Sequence, residues 1–295
     1  MINQYNSDDD VGNPYSPIVV FATYWNEIDW IHASLEQINL INPEEVIICD
    51  GCFDPSKPNY STDGTRKVIE EFVAEQPNRK MISAIRLTRT QHILEWFHNL
   101  PHEITSPFAI PRLRMLPRLI RENPYRLNQT ATFNYMIRLS TYFAPNRWFM
   151  TYDCDQFYDD KVVDKIKQLE QFKETNILVS KEKTFFDSFE QYTEEYEKRD
   201  YNNMPHRAFP DTRFIPTRHP SRPRGTRYVN CSDFETAKFY VGWVYHYHIR
   251  SQKREQAGYS LGDRTPPHPE RKKTKFYNGK HPFIITKNFL KNPSS

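Results

Sequence analysis

The stretch PIVVFATYWNEIDWIHASLEQINLINPEEVIICD, residues 17–50, decides the fold. Ile18 to Ala22 is a short, β-branched run bounded by Pro17, the composition of a strand buried on both faces of a parallel sheet. Ile28, Ile31, Leu35 and Ile38 then recur at helical spacing, with Asn26 as the expected N-cap, Asp29 in the first turn and Asn42-Pro43 as the stop. Val46 to Cys49 repeats the strand pattern and ends in Asp50. Strand, helix and strand in about 30 residues make a βαβ unit, so the expected class is α/β with a mostly parallel sheet.

Outward from this unit, the polar residues 54–63 are a loop, and Thr65 to Ala74 places Val68, Ile69, Phe72 and Val73 on one helical face. Met81 to Leu87 supplies a third strand. Residues 89–126 break the pattern with Pro101, Pro107, Pro111, Pro117 and Pro124, and carry Arg112, Arg114, Arg118, Arg121 and Arg126. That composition suits either solvated surface helices or a basic flap facing phosphate or an anionic membrane surface. Asn128 is the expected cap of a helix bearing Phe133, Met136, Ile137 and Phe143. Trp148 to Tyr152 is a strand ending in Asp153, Asp159 caps a helix with Val162, Val163, Ile166 and Leu169, and Ile177 to Val179 is another strand. Residues 202–228 hold Arg207, Arg213, Arg218, Arg222, Arg224 and Arg227 among prolines, a pattern that predicts no regular element and fits closure over an anion. Phe239 to Ile249 is dense in aromatic and β-branched residues, and the Pro- and Lys-rich stretch after Gly262 reads as peripheral.

The 295 residues are enough to bury a core without staples, and a span of about 18 consecutive apolar residues is absent, which excludes a small disulfide scaffold and a membrane span. Lys and Arg number 40 against 37 Asp and Glu, a net charge of +3 that does not argue for nucleic acid. Residues 1–10 are polar and acidic, without the features of a secretory signal, so the cytoplasm is the expected location. Cys49, Cys52, Cys154 and Cys231 include one C-x-x-C pair and no second pair at zinc-ribbon spacing, which predicts buried fillers in a reducing compartment.

Open α/β sheets bind ligands at the carboxyl ends of their strands. Asp50, the pair Asp153 and Asp155, and the pair Asp159 and Asp160 all fall there. Carboxylates two apart, as in D-C-D-Q-F, offer hard oxygens to Mg²⁺ or Mn²⁺ bridging a diphosphate; the bland alternative is solvated loop acids.

The order I-V-V-F-A-T-Y-W-N-E, V-I-I-C-D-G, S-T-D-G-T-R (Ser61 to Arg66) and T-Y-D-C-D-Q-F (Thr151 to Phe157) resembles a GT-A glycosyltransferase, of the family 2 and family 92-like types. His246-Tyr247 followed by Arg250-Ser251 is similar to a late H-Y-x-x-[KR]-S element of such enzymes. The resemblance implies a GT-A, Rossmann-like sheet flanked by helices. It divides the chain into an N-terminal tail 1–16, a nucleotide-sugar-binding core 17–200, an irregular acceptor-side region 201–262 and a basic tail 263–295. It further implies that Thr23, Tyr24, Asn26, Glu27, Asp50 and Arg66 bind a nucleotide-sugar donor, a UDP-sugar above others. Asp153 and Asp155 would hold Mn²⁺ or Mg²⁺ and the diphosphate, with His246 as a further ligand and His248, two along and on the same strand face, as its alternative. For either histidine the bland reading is a packed aromatic-cluster residue.

The same resemblance implies transfer to a hydroxyl of a glycan, lipid-linked or protein acceptor, with inversion, and leaves peripheral membrane contact open. The base that deprotonates the acceptor is sought among Asp187, Asp233 and Glu235, with Asp233 and Asp187 preferred and a simple helix-cap role for Asp233 as the alternative. The segment after Glu182 follows no aligned pattern, and no E-D pair lies beyond the D-x-D. Two other classes compete. One is a haloacid-dehalogenase-like phosphatase, whose motif stands near the chain start and not mid-chain. The other is a non-catalytic sugar-nucleotide or glycan-binding protein using Trp25, Trp243 and Tyr245, which would otherwise be core.

Overall fold

The structure, a computed structural model, describes residues 15–94, 124–186, 188–193, 204–210, 212–214, 238–249 and 274–290. Among the described residues, ten strands form one mixed sheet: β1 Ser16–Tyr24, β2 Pro43–Asp50, β3 Arg79–Ser83, β4 Trp148–Asp153, β5 Gln156–Tyr158, β6 Ile177–Phe186, β7 Gln191–Thr193, β8 His206–Arg207, β9 Lys238–His248 and β10 Thr274–Phe276. Along the main path the order is β10-β7-β6-β8-β4-β1-β2-β3, while β9 pairs with β5 and β6. The long ladders, β1 with β2, β1 with β4, β2 with β3 and β6 with β9, are parallel; the short ones are antiparallel. The expected α/β class with a mostly parallel, helix-flanked sheet is what the chain adopts.

Alternate residues of the central strands feed two cores. Ile18, Val20, Ala22, Val46, Ile48, Met150 and Tyr152 face α1 (Ile31–Ile41), α2 (Thr65–Ala74) and α4 (Asp160–Lys167). Val19, Phe21, Ile47, Cys49 and Phe149 face α3 (Pro124–Leu139) through Phe133 and Met136. Every residue of β2 is buried, as a strand covered on both faces requires.

Two expected caps fall elsewhere. α1 starts at Ile31 with Trp30 before it, and Asn26, at φ 51°, accepts the Thr62 N–H through Oδ1 instead. α3 starts at Pro124, a residue suited to a first turn, so Asn128 lies inside the helix. There it is buried, accepting the Leu87 N–H and donating to the Phe53 carbonyl. Asp159 does cap α4, accepting the Lys161 N–H at 2.9 Å. Cys49, Cys52 and Cys154 are buried thiols, with that of Cys52 pushed up to about 11 by burial. Among the described residues no helix is long and apolar enough to cross a membrane. Of the basic stretch 89–126, residues 89–94 are helical, 124–126 open α3, and 95–123 lie outside the described residues.

Two further expectations change. Within residues 202–228, His206 and Arg207 pair with Trp148 and Phe149 as β8, so part of this Arg- and Pro-rich stretch is sheet. The stretch after Gly262 is not peripheral over its described part. Thr274 to Phe276 adds β10 against β7, and Ile284 and Ile285 are buried in the same core as α1. Lys287 and Asn288 bond Glu36 of α1, and Phe289 packs on Trp30 at 4.6 Å between ring centroids. Ile285→Ala should therefore destabilise the fold by about 2–5 kcal/mol, while Ile28→Ala, at an exposed position, should change it by less than about 0.5 kcal/mol; urea unfolding midpoints check both.

Candidate functional site

Parallel register aligns the carboxyl ends of the central strands. Thr23 lies opposite Asp153 on one side and Cys49 on the other, and Tyr24 lies opposite Asp50. The residues expected to bind a donor thus share one edge of the sheet, although their side chains do not share one face.

The loops after β1 and before α2 are stitched together there. Asn26 N–H donates to Ser61 Oγ at 2.8 Å, Glu27 N–H to Thr65 Oγ1 at 2.7 Å, and Ile28 N–H to Asp63 Oδ2 at 3.1 Å. Thr62 N–H returns a bond to Asn26 Oδ1 at 2.7 Å. The W-N-E and S-T-D-G-T segments are therefore two halves of one clamp, each short polar side chain satisfying a backbone group of the other. Gly51, at φ 146°, lets the chain leave β2, because a Cβ there would stand 2.6 Å from the Asn59 carbonyl oxygen.

Asp50 anchors the clamp from below. Its fully buried carboxylate accepts the Ser61 N–H at 3.1 Å and pairs with Arg66 Nη1 at 3.2 Å. Burial raises its pKa, against the lowering effect of Ser61 and Arg66. Arg66 also binds Glu70 one turn on, at 2.9 Å. Tyr24 turns its side chain inward to Ser34 Oγ at 2.9 Å, and burial raises its pKa far above the usual range, so at this edge it offers its backbone. Asp153, half-buried, lies close enough to Tyr24 and Tyr158 to add its charge to the burial that raises both hydroxyls.

After β4 the chain turns at once into β5, and this turn carries Asp155 to β9. Gln156 pairs with His246, and Tyr247 N–H donates to the Asp155 carbonyl at 2.8 Å. Asp155 Oδ1 lies 3.2 Å from His246 Nε2, and Oδ2 lies 3.8 Å from His248 Nδ1. Their ligand atoms all fall within 4.8 Å of one another, a set of one carboxylate and two imidazoles at the half-buried end of the sheet. His246 and His248, expected as alternatives, are brought together because residues two apart on a strand share a face. Burial works against a charge on His246, and Asp155 and Glu182 outweigh it, raising its pKa well above the usual value.

Two residues that the sequence did not single out border this group. Glu182 Oε1 accepts from His246 Nδ1 at 2.9 Å and from Thr184 Oγ1 at 2.8 Å. Alternation along β6 was the available signal, once β6 and β9 are known to be neighbours. Of the aromatics, Tyr245 belongs to the core, Trp243 lies 4.5 Å under the Lys183 ammonium, and Trp25 donates to the Tyr60 carbonyl at 3.3 Å. The candidate bases Asp187 and Asp233 lie outside the described residues.

The chain is thus a mixed α/β protein whose sheet edge gathers carboxylates and imidazoles. No family model matches it, and no curated protein matches it. Two solved structures of S. aureus TarS are similar in shape. One is 15% identical with a TM-score of 0.32, covering 57% of this chain and 22% of that one. The other, TarS 1-349, is 12% identical with a TM-score of 0.40, covering 78% of this chain and 60% of that one.

Because the buried Asp50 holds its proton more tightly folded than unfolded, its ionisation weakens the fold as pH rises from the ordinary carboxylate range toward the raised value. Arg66→Ala removes the compensating cation and widens that window. The variant should lose about 1–3 kcal/mol near neutrality and much less near pH 3, where Asp50 is neutral in both proteins. Urea midpoints at the two pH values measure the difference.

Proposed function

We propose that this protein is a metal-dependent glycosyltransferase of GT-A type, moving a sugar from a nucleoside diphosphate, a UDP-sugar above others, to an acceptor hydroxyl with inversion. The observation that carries the reading is the convergence of Asp155, from the D-x-D turn, with His246 and His248 from the late H-Y-x-x-R-S segment. Those two motifs are about ninety residues apart, and the family resemblance rests on both. The donor set fits a divalent cation. Imidazole nitrogens beside a carboxylate suit Mn²⁺ better than Mg²⁺, which prefers an all-oxygen shell.

Asp155, His246 and His248 would hold the ion; Asp153, the other acid of the D-x-D and expected as a ligand, ends β4 and is not among the three residues whose ligand atoms converge. Bound there, a divalent cation neutralises the charge that builds on a departing diphosphate. The chain's own groups do the rest. The clamp of residues 23–27 and 61–66 fixes the backbone around which a nucleoside would be held, and Asp50 and Arg66 hold the clamp. Asp187 and Asp233 are the proposed bases for the acceptor hydroxyl, one taking its proton as the new bond forms on the face opposite the leaving group.

A panel of UDP-, GDP- and CMP-sugars with and without Mn²⁺ tests the reading. Mn²⁺-dependent transfer or donor hydrolysis is expected, and Asp155→Ala should lower turnover about 1,000-fold, equivalent to about 4 kcal/mol. Release of phosphate from monoesters would make the protein a phosphatase instead. Donor binding with no turnover on any acceptor would make it a binding protein.

A further inference from the structure

A histidine becomes a good ligand only when one ring nitrogen is committed elsewhere, so that the other is presented deprotonated and in a fixed direction. His248 stacks on Phe186 at 5.1 Å between ring centroids and 12° between planes. His246 is held by a hydrogen bond to a carboxylate.

That carboxylate belongs to Glu182. Parallel pairing of β6 with β9 sets Glu182 beside Val244 and Thr184 beside His246, so the side chains of Glu182, Thr184 and His246 share a face. Glu182 is 6% exposed, in a position where a carboxylate is expensive unless its oxygens are used. Oε1 is used twice, by Thr184 Oγ1 at 2.8 Å and by His246 Nδ1 at 2.9 Å. With the Nδ1 proton donated to Glu182, the opposite nitrogen, Nε2, is the one that faces Asp155 at 3.2 Å. Thr184 matters for the same reason. Its hydroxyl donates to Glu182, fixing the rotamer from which the carboxylate reaches the ring.

We propose that Glu182, oriented by Thr184, is a positioning residue that fixes the tautomer and direction of His246 and so pre-organises the cation pocket formed with Asp155 and His248. This rests on the cation reading of that pocket given above. In this reading Glu182 acts through His246 and not on the ion or the substrate.

The test uses the full-length chain and Mn²⁺ alone, with no donor, so that binding is read separately from turnover. Affinity is measured by calorimetry for the wild type, Glu182→Leu and Glu182→Gln, with thermal melting as the check on folding. Histidine-labelled NMR of the metal-free protein, at a pH above the raised His246 pKa where the ring is neutral, reads its tautomer. Glu182→Leu should bind Mn²⁺ roughly 10–100-fold more weakly, with the His246 ring no longer held as the Nδ1–H form. Glu182→Gln keeps an acceptor oxygen and the shape but not the charge, so it should fall between the two and retain the tautomer. Should the leucine variant fail to fold, the glutamine variant decides. Wild-type affinity in a folded Glu182 variant, or an unchanged His246 tautomer in Glu182→Leu, overturns the proposal while leaving the cation site intact. Absence of Mn²⁺ binding by the wild type overturns the cation reading, and this inference with it.

Discussion

The candidate site depends on β9 lying between β5 and β6. Its antiparallel pairing with β5 brings His246 against Gln156, and its parallel pairing with β6 brings the same residue against Thr184. The Tyr247 N–H to Asp155 carbonyl bond closes the corner. Without this strand, Asp155 would end a tight turn facing solvent, and Glu182 would be a buried carboxylate without its imidazole. Closing so long a loop costs entropy that local contacts cannot return, so the pairing must be secured by the packing behind it.

That packing is the other face of the same strand. Tyr245 and Tyr247 alternate with His246 and His248, and point into an aromatic cluster. Tyr247 stacks on Phe185 at 4.9 Å and on Trp30 at 5.7 Å, and Tyr245 stacks on Phe185 at 6.2 Å. Trp30 in turn stands just before α1, whose buried residues share one core with β1 and β2. Gly242 makes the entry possible: at φ 145° it sits where a Cβ would meet Val162 of α4 at 2.7 Å, so β9 can lie close on that helix. One strand therefore carries two jobs with period-2 separation, an apolar face that places it and a polar face that faces Asp155.

The central sheet was legible because its strands are short, β-branched and buried on both sides, a pattern few other structures share. Asp159 was legible as a cap because an acid directly before a helical face has a single efficient use. Asn26 and Asn128 misled for the same reason in reverse: a short amide serves a backbone group across a loop as well as it serves its own helix, and only the tertiary partners, Thr62 for one and Leu87 with Phe53 for the other, decide. The segment after Gly262 misled because its few apolar residues, Ile284 and Ile285, are hidden among prolines and lysines, while burial depends on where they land. Asp155 and His246 were legible as site candidates from motif order. Glu182 was not, because nothing local distinguishes a glutamate in a strand; its meaning arises from the register of β6 with β9.

The same logic explains how the edge near Asp50 differs from the edge near Asp155. Asp50 is wholly enclosed and spends its charge on Ser61 and Arg66, so it holds the clamp that joins the W-N-E and S-T-D-G-T segments. Asp155 remains partly open to solvent and faces nitrogens that can either share a proton with it or give the proton up. A carboxylate already neutralised by a fixed cation has little to offer an incoming ion, whereas one facing imidazoles gains a ligand set as soon as a proton leaves. On the cation reading proposed above, the chemistry at this end of the sheet would be concentrated on the β4–β5 turn, with the clamp around Asp50 serving the donor side.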